Sequence, residues 1–123
     1  MIKLVFCLRR REELSCEEFQ RYWRENHAPL VRKHKDVLGI LRYVQVHTDY
    51  GPMTDALRKS RGGGEPYDGV AELWYESVDA MQARGGDSNA RAAGRELYED
   101  EKSFIDLENS SIWVGSEFEV ISG

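Results

Sequence analysis

Cysteine is scarce in this chain. There are two, Cys7 and Cys16, with no C-x-x-C spacing. That excludes a disulfide framework and a paired-cysteine zinc site, and both read as small buried hydrophobes rather than nucleophiles. Histidine is also thin: His27, His34 and His47. No two are spaced as a helical metal pair and no carboxylate completes a facial triad, so no metal is expected. Positive charge is in deficit. Seventeen Lys and Arg against twenty-two Asp and Glu leave a formal net charge of −5, which argues against a nucleic-acid binder and against a polybasic membrane anchor. No apolar run approaches the ~20 residues of a membrane-spanning helix. The opening run, Met1 to Phe6, is too short for a secretory leader and leads into Arg9-Arg10-Arg11 rather than a cleavage site. A cytoplasmic setting is the expectation. There is no G-x-S-x-G, no dinucleotide fingerprint and no P-loop, since Gly62-Gly63-Gly64 precede no Lys-Ser/Thr. No organic cofactor is expected.

What is present suits one globular domain over residues 1–123. The chain has 123 residues, 41% hydrophobic and 32% charged, enough to bury a core. Residues 2–8 alternate as a strand with Ile2, Leu4, Phe6 and Leu8 on one face. Arg10 to Glu13 form a charged turn. Ser15 followed by Glu18 is a capping box, opening a helix from Cys16 to about His27. Pro29 bends or restarts it and biases Ala28 out of the helical region, with a final turn through Val31 to Lys35. Residues 38–48 form a second strand, with Leu41, Tyr43, Gln45 and His47 on one face and Arg42, Val44 and Val46 on the other. Residues 49–66 read as a long mobile loop with at most a helical turn near Thr54 to Lys59. Tyr67 to Tyr75 is a third strand. Ser77 caps a short helix over Val78 to Arg84, which Gly85-Gly86 breaks. A further helix spans Ser88 to Phe104, with Ala90, Ala93, Leu97, Phe104 and Ile105 as its apolar marks, and Ile112 to Ile121 is a fourth strand. The order is that of a ferredoxin-like βαββαβ sandwich, class α+β, with an antiparallel sheet and both helices on one face.

Helices on one face leave the other uncovered. That face carries Val5, Cys7, Val44, Val46, Val70, Trp74 and Trp113, more apolar surface than a monomer usually exposes. A second copy packed sheet to sheet is the expected cover, giving a homodimeric α/β barrel with helices outside. Asp68 and Glu72 fall on the same face, and Glu72 is expected to pair with Arg42 in the barrel.

The first helix carries the most chemistry. Phe19, Tyr22, Trp23, Asn26, His27 and Leu30 form one stripe at helical spacing, which must face the sheet. Burial beside Trp23 favours a neutral His27 ring, while the nearby helix C-terminus favours a charged one. His27 is either a general base or acid, or a core histidine satisfied by a backbone carbonyl. Tyr43 on the second strand is either a hydrogen-bond partner for a ligand oxygen or an amphipathic core residue. His34 is expected in solvent, and His47 at the mouth of the same cleft.

These residues resemble a known pattern. Glu18-Phe19-x-x-Tyr22-Trp23-x-x-x-His27-Ala28-Pro29-Leu30 resembles the helix-1 motif of the EthD family, in the dimeric α/β-barrel superfamily. Tyr67 to Tyr75 resembles that family's third strand, and Asp100-Glu101-x-x-Phe104-x-Asp106 the stretch closing its second helix. The resemblance implies a small apolar or aromatic ligand between sheet and helices, bound without metal or organic cofactor. It implies His27 for proton transfer and Tyr43, similar to a tyrosine of the lactone-isomerase branch, for orienting the ligand. Phe19, Trp23, Leu30, His47 and Leu73 are the expected pocket walls. Three activities fit: isomerase, cyclase or dehydratase chemistry; an accessory or cofactor-free monooxygenase; and a non-catalytic binding module.

Overall fold

Strand pairing follows the side-chain alternation. The computed structural model describes residues 1–123. Strands β1 (Ile2–Leu8), β2 (Arg42–His47), β3 (Gly69–Tyr75) and β4 (Ser111–Gly115) form one antiparallel sheet in the order β2-β3-β1-β4. The register sets Phe6 opposite Ala71, Leu4 opposite Leu73 and Tyr43 opposite Leu73. One face therefore carries Leu4, Phe6, Leu8, Ala71, Leu73 and Tyr43, and the helices pack on it.

The first helical run is built in three parts. Helix α1 (Cys16–Tyr22) opens on the capping box: Glu18 N–H donates to Ser15 Oγ at 3.0 Å, and Ser15 N–H to the Glu18 carboxylate at 2.9 Å. A π-helical turn follows (Trp23–His27), then α2 (Ala28–Lys33) with Pro29 in its first turn. Ala28 stays helical, with φ −57° and ψ −44°, and its N–H reaches back to the Trp23 carbonyl. The expected departure of Ala28 does not occur because the wider π turn makes room for the proline ring.

Helices α3 (Lys35–Leu38), α4 (Pro52–Arg61), α5 (Val78–Arg84) and α6 (Ser88–Phe104) complete the fold. Helix α4 corrects the loop expected over residues 49–66. Pro52 at its start and Gly62 at φ +60° just past its end are the usual marks of a helix, and no residue of α4 is buried. The fourth strand is also shorter than expected. β4 is an edge strand paired only with β1, and Gly115 already sits opposite Lys3. Beyond it only Ile2 of β1 is left to pair with, so residues 116–121 add no strand.

The core lies between sheet and helices. Leu8, Phe19, Trp23, Ala71, Phe104 and Ile105 form its main cluster, and Val31, Ile40 and Leu97 a second. On the outer face Trp74 is covered by two cations, Lys3 at 4.7 Å and Arg42 at 4.5 Å from its ring. Glu72 pairs with Lys3 at 2.5 Å rather than with Arg42. The register sets both cations directly opposite Trp74 and diagonal to Glu72; Lys3 takes the carboxylate and Arg42 stays over the Trp74 ring. Asp68 also leaves the outer face. It is buried before β3, accepting from Arg10 N–H at 2.8 Å and Arg10 Nη1 at 2.7 Å.

Candidate active site

Between the sheet and the helical run lies a cavity of about 120 Å³. Its walls come from all four strands, the π turn, α2 and α6. Every lining residue is hydrophobic except His27 and Glu101.

His27 is buried, its ring 5.1 Å from that of Phe104. Its Nδ1 lies 2.7 Å from Asp100 Oδ2, and Tyr22 donates its hydroxyl to Asp100 Oδ1 at 2.5 Å. Burial pushes the imidazole below its ordinary value of 6.5, and the Asp100 partner offsets part of that shift. The neutral ring then carries its proton on Nδ1, donates it to Asp100, and leaves the Nε2 lone pair without a protein partner. A base held by a carboxylate and lining an apolar cavity is an arrangement for taking a proton.

Tyr43 lines the same cavity. Its phenol oxygen accepts from Gln45 Nε2 at 2.9 Å, and the same amide donates to the Trp23 carbonyl at 3.0 Å. Burial raises the phenol above its ordinary value of 10, so Tyr43 is neutral and its own O–H has no acceptor in the protein. Its hydroxyl proton is free to be donated within the cavity.

The expected walls divide. Trp23 and Leu73 line the cavity, whereas Phe19, Leu30 and His47 do not. Phe19 is wholly buried behind Trp23, with ring centroids 5.6 Å apart. Leu30 gives way to Val31 because the π turn delays the helix: the buried series runs Phe19, Trp23, His27, Val31, four residues apart. His47 stacks on Trp23 at 4.6 Å and lies 2.8 Å from the Gln45 carbonyl oxygen through Nε2. It therefore supports the amide that holds Tyr43 and does not reach the cavity. His34 is not in solvent: its side chain is 13% exposed and its Nε2 lies 3.3 Å from Glu96. Gly69 belongs to the site by its size. A Cβ there would come within 2.8 Å of the Trp23 ring and 2.9 Å of the Val46 carbonyl, so only glycine lets Trp23 close the cavity.

Sequence reasoning named Asp100 and Glu101 in the second-helix motif but did not place them in the site. Burial and the adjacent Asp100 charge push the Glu101 carboxyl up to about 7. The signal was its position: Glu101 falls on the buried stripe of α6, four residues after Leu97 and three before Phe104. No group of three or more His, Cys, Asp or Glu stands close enough to hold a metal ion.

The profile of the EthD domain matches residues 11–108. The chain belongs to the EthD family. No curated protein matches its sequence. Among solved structures it is similar to an EthD family protein from Bacillus halodurans, at 20% identity over 96% of this chain and 99% of the other, with a TM-score of 0.64. A dimeric protein of unknown function and ferredoxin-like fold from Bacteroides fragilis is similar at 10% identity, over 94% and 95% of the two chains, TM-score 0.59. A proposed antibiotic biosynthesis monooxygenase from Deinococcus radiodurans matches at 13% identity over 99% and 97%, TM-score 0.53. At these identities the solved structures bear on the fold: an EthD chain with a ferredoxin-like, four-stranded antiparallel sheet. No helix is long and apolar enough to cross a membrane.

Proposed function

We propose that this EthD chain is a cofactor-free enzyme that removes a proton from a small apolar or aromatic molecule held between sheet and helices. His27 is the general base, Asp100 fixes its tautomer, and Tyr43 donates to a ligand oxygen. Trp23 and Leu73 are apolar walls. The observation that carries this reading is the Asp100–His27 pair at 2.7 Å in a cavity otherwise lined almost wholly by hydrophobic side chains. A histidine kept only for packing would be satisfied by the Asp100 bond alone and need not line a cavity the size of one ring. Isomerase, cyclase and dehydratase chemistries share the first step, loss of a proton beside a carbonyl. The working unit in this reading is a homodimer, which covers the apolar outer face of the sheet; the dimeric Bacteroides fragilis relative lends support.

The test is α-proton exchange into heavy water, followed by NMR over a panel of small lactones and ketones. His27→Asn should lower the exchange rate about 10²–10⁴-fold, the usual worth of general acid–base catalysis, with the fold intact. Equal rates in wild type and variant would refute the assignment. The Deinococcus radiodurans relative favours a second reading, cofactor-free oxygenation in the same cavity. Oxygen uptake in place of proton exchange would select it.

A further inference from the structure

Glu101 is at odds with its surroundings. It occupies a core position on α6 and shares the cavity with His27 and hydrophobic side chains. No hydrogen bond or cation holds it; only burial and the neighbouring Asp100 act on it. The titratable groups around it are Asp100 on its own helix, His27 on the π turn, Tyr43 on β2 and Tyr75 on β3, and no Lys or Arg lines the cavity. A largely buried carboxyl without a protein partner costs stability, and Leu or Met would fill the stripe without that cost. The missing partner is therefore sought in a ligand.

We propose, resting on the proton-abstraction reading above, that the Glu101 carboxylic acid donates to the carbonyl oxygen of a neutral, enolisable, single-ring ligand while His27 removes the α-proton. The step balances within the site. The α C–H bond breaks and its proton goes to His27 Nε2. The electron pair forms the enol C=C, the carbonyl π pair moves to oxygen, and oxygen takes the Glu101 proton. The enol then returns its O–H proton to Glu101 and takes the proton of His27 at carbon. Recapture at a different carbon of a conjugated enol is an isomerisation, and neither residue is consumed. Cavity and charge select the ligand. An apolar cavity of about 150 Å³ accepts benzene, so about 120 Å³ suits one ring. A carboxylate ligand would meet Asp100 and Glu101 with no cation to offset them.

The experiment uses the full chain with carboxyl-labelled glutamate and cyclohexanone as probe. The Glu101 carbon signal is titrated by NMR with and without the ketone, with cyclohexanecarboxylate as the anionic control. A hydrogen bond from the protonated acid should raise the Glu101 midpoint by about one unit when the ketone is saturating. Ketone affinity should accordingly fall about tenfold as pH rises beyond that midpoint. Glu101→Gln should make ketone affinity flat with pH, and the carboxylate should bind more weakly than the ketone to the wild-type protein. An unmoved midpoint, no ketone binding, or the same pH dependence in Glu101→Gln would each overturn the proposal. His27→Asn separates the two readings. If proton exchange survives in that variant the base assignment fails, while the Glu101 midpoint still reports on the acid. If exchange is lost but the midpoint ignores the ketone, the acid alone fails.

Discussion

His27 and Glu101 titrate in the reverse of their usual order. Burial lowers the imidazole below 6.5 and raises the carboxyl to about 7. Between those values a neutral base and a neutral acid share one cavity, the pairing expected where two groups have opposite tasks. Proton exchange should therefore peak in this near-neutral window, falling on the acid side as His27 protonates and on the alkaline side as Glu101 ionises. A pH–rate profile without the acid limb would contradict the assignment of His27. Stability follows the same shifts. The folded Glu101 carboxyl holds its proton more tightly than the unfolded one at 4.5, so its contribution is present at low pH and is lost as pH rises through about 7. His27 runs the other way: its folded value is depressed, so its contribution is present above 6.5 and lost as pH falls. Glu101→Gln should remove the first slope and leave the variant roughly 2–3 kcal/mol more stable than wild type at pH 8, read by chemical denaturation at pH 5 and pH 8. Equal stabilities at pH 8 would contradict the burial of this charge. His27 was legible in the sequence because it sits on an aromatic stripe. Glu101 stood in the motif stretch Asp100-Glu101-x-x-Phe104-x-Asp106 but carried no role there, because within the acidic run Glu99-Asp100-Glu101 only placement on the apolar stripe singles it out.

At the scale of elements, two small features set the site. The π turn carries Trp23 and His27 inward together, and Gly69 leaves room for the indole. Gly69→Ala should push the Trp23 ring out of position, cost about 1–3 kcal/mol as overpacking does, and perturb the tryptophan fluorescence. An unchanged melting temperature would contradict the contact. Periodicity captured Phe19, Trp23 and His27 but placed Leu30 where Val31 stands, because a 3.6-residue period cannot foresee a π turn. It set the strand faces correctly, since a period of two tolerates no slip without exposing the whole core face. Helix α4 was missed because Gly51-Pro52 and Gly62-Gly63-Gly64 read as loop punctuation, although they are also a helix's start and stop. Having no buried residue, α4 should exchange its amide hydrogens far faster than α6, which buries Ala90, Ala93, Leu97 and Phe104. Equal protection of the two helices would show that something covers α4.

At the scale of the molecule, the sheet separates two tasks. Its inner face builds the cavity, and its outer face is the surface the proposed homodimer would bury. Val46 is 46% and Trp113 50% exposed on that outer face, beside the Lys3–Glu72 pair. The homodimer proposed above would cover this surface, and light scattering at low micromolar concentration should then return twice the chain mass of 14.2 kDa. Val44→Glu, which sets a charge in the middle of the face directly opposite Glu72, should shift the protein toward monomer. A wild-type protein that stays monomeric with a cooperative melt would contradict the barrel. The uncovered face was legible from strand alternation and the count of helices alone; the ion pairs on it were not, because two diagonals of one register offer Glu72 two cations.

The central claim is that His27 presents an unprotonated Nε2 to the cavity. Nitrogen-15 NMR of the imidazole ring tests it without knowledge of the substrate. At pH 7 the account expects a neutral ring protonated on Nδ1, hydrogen-bonded to Asp100, titrating below 6.5. A ring protonated on Nε2, or still doubly protonated at pH 7, would contradict it.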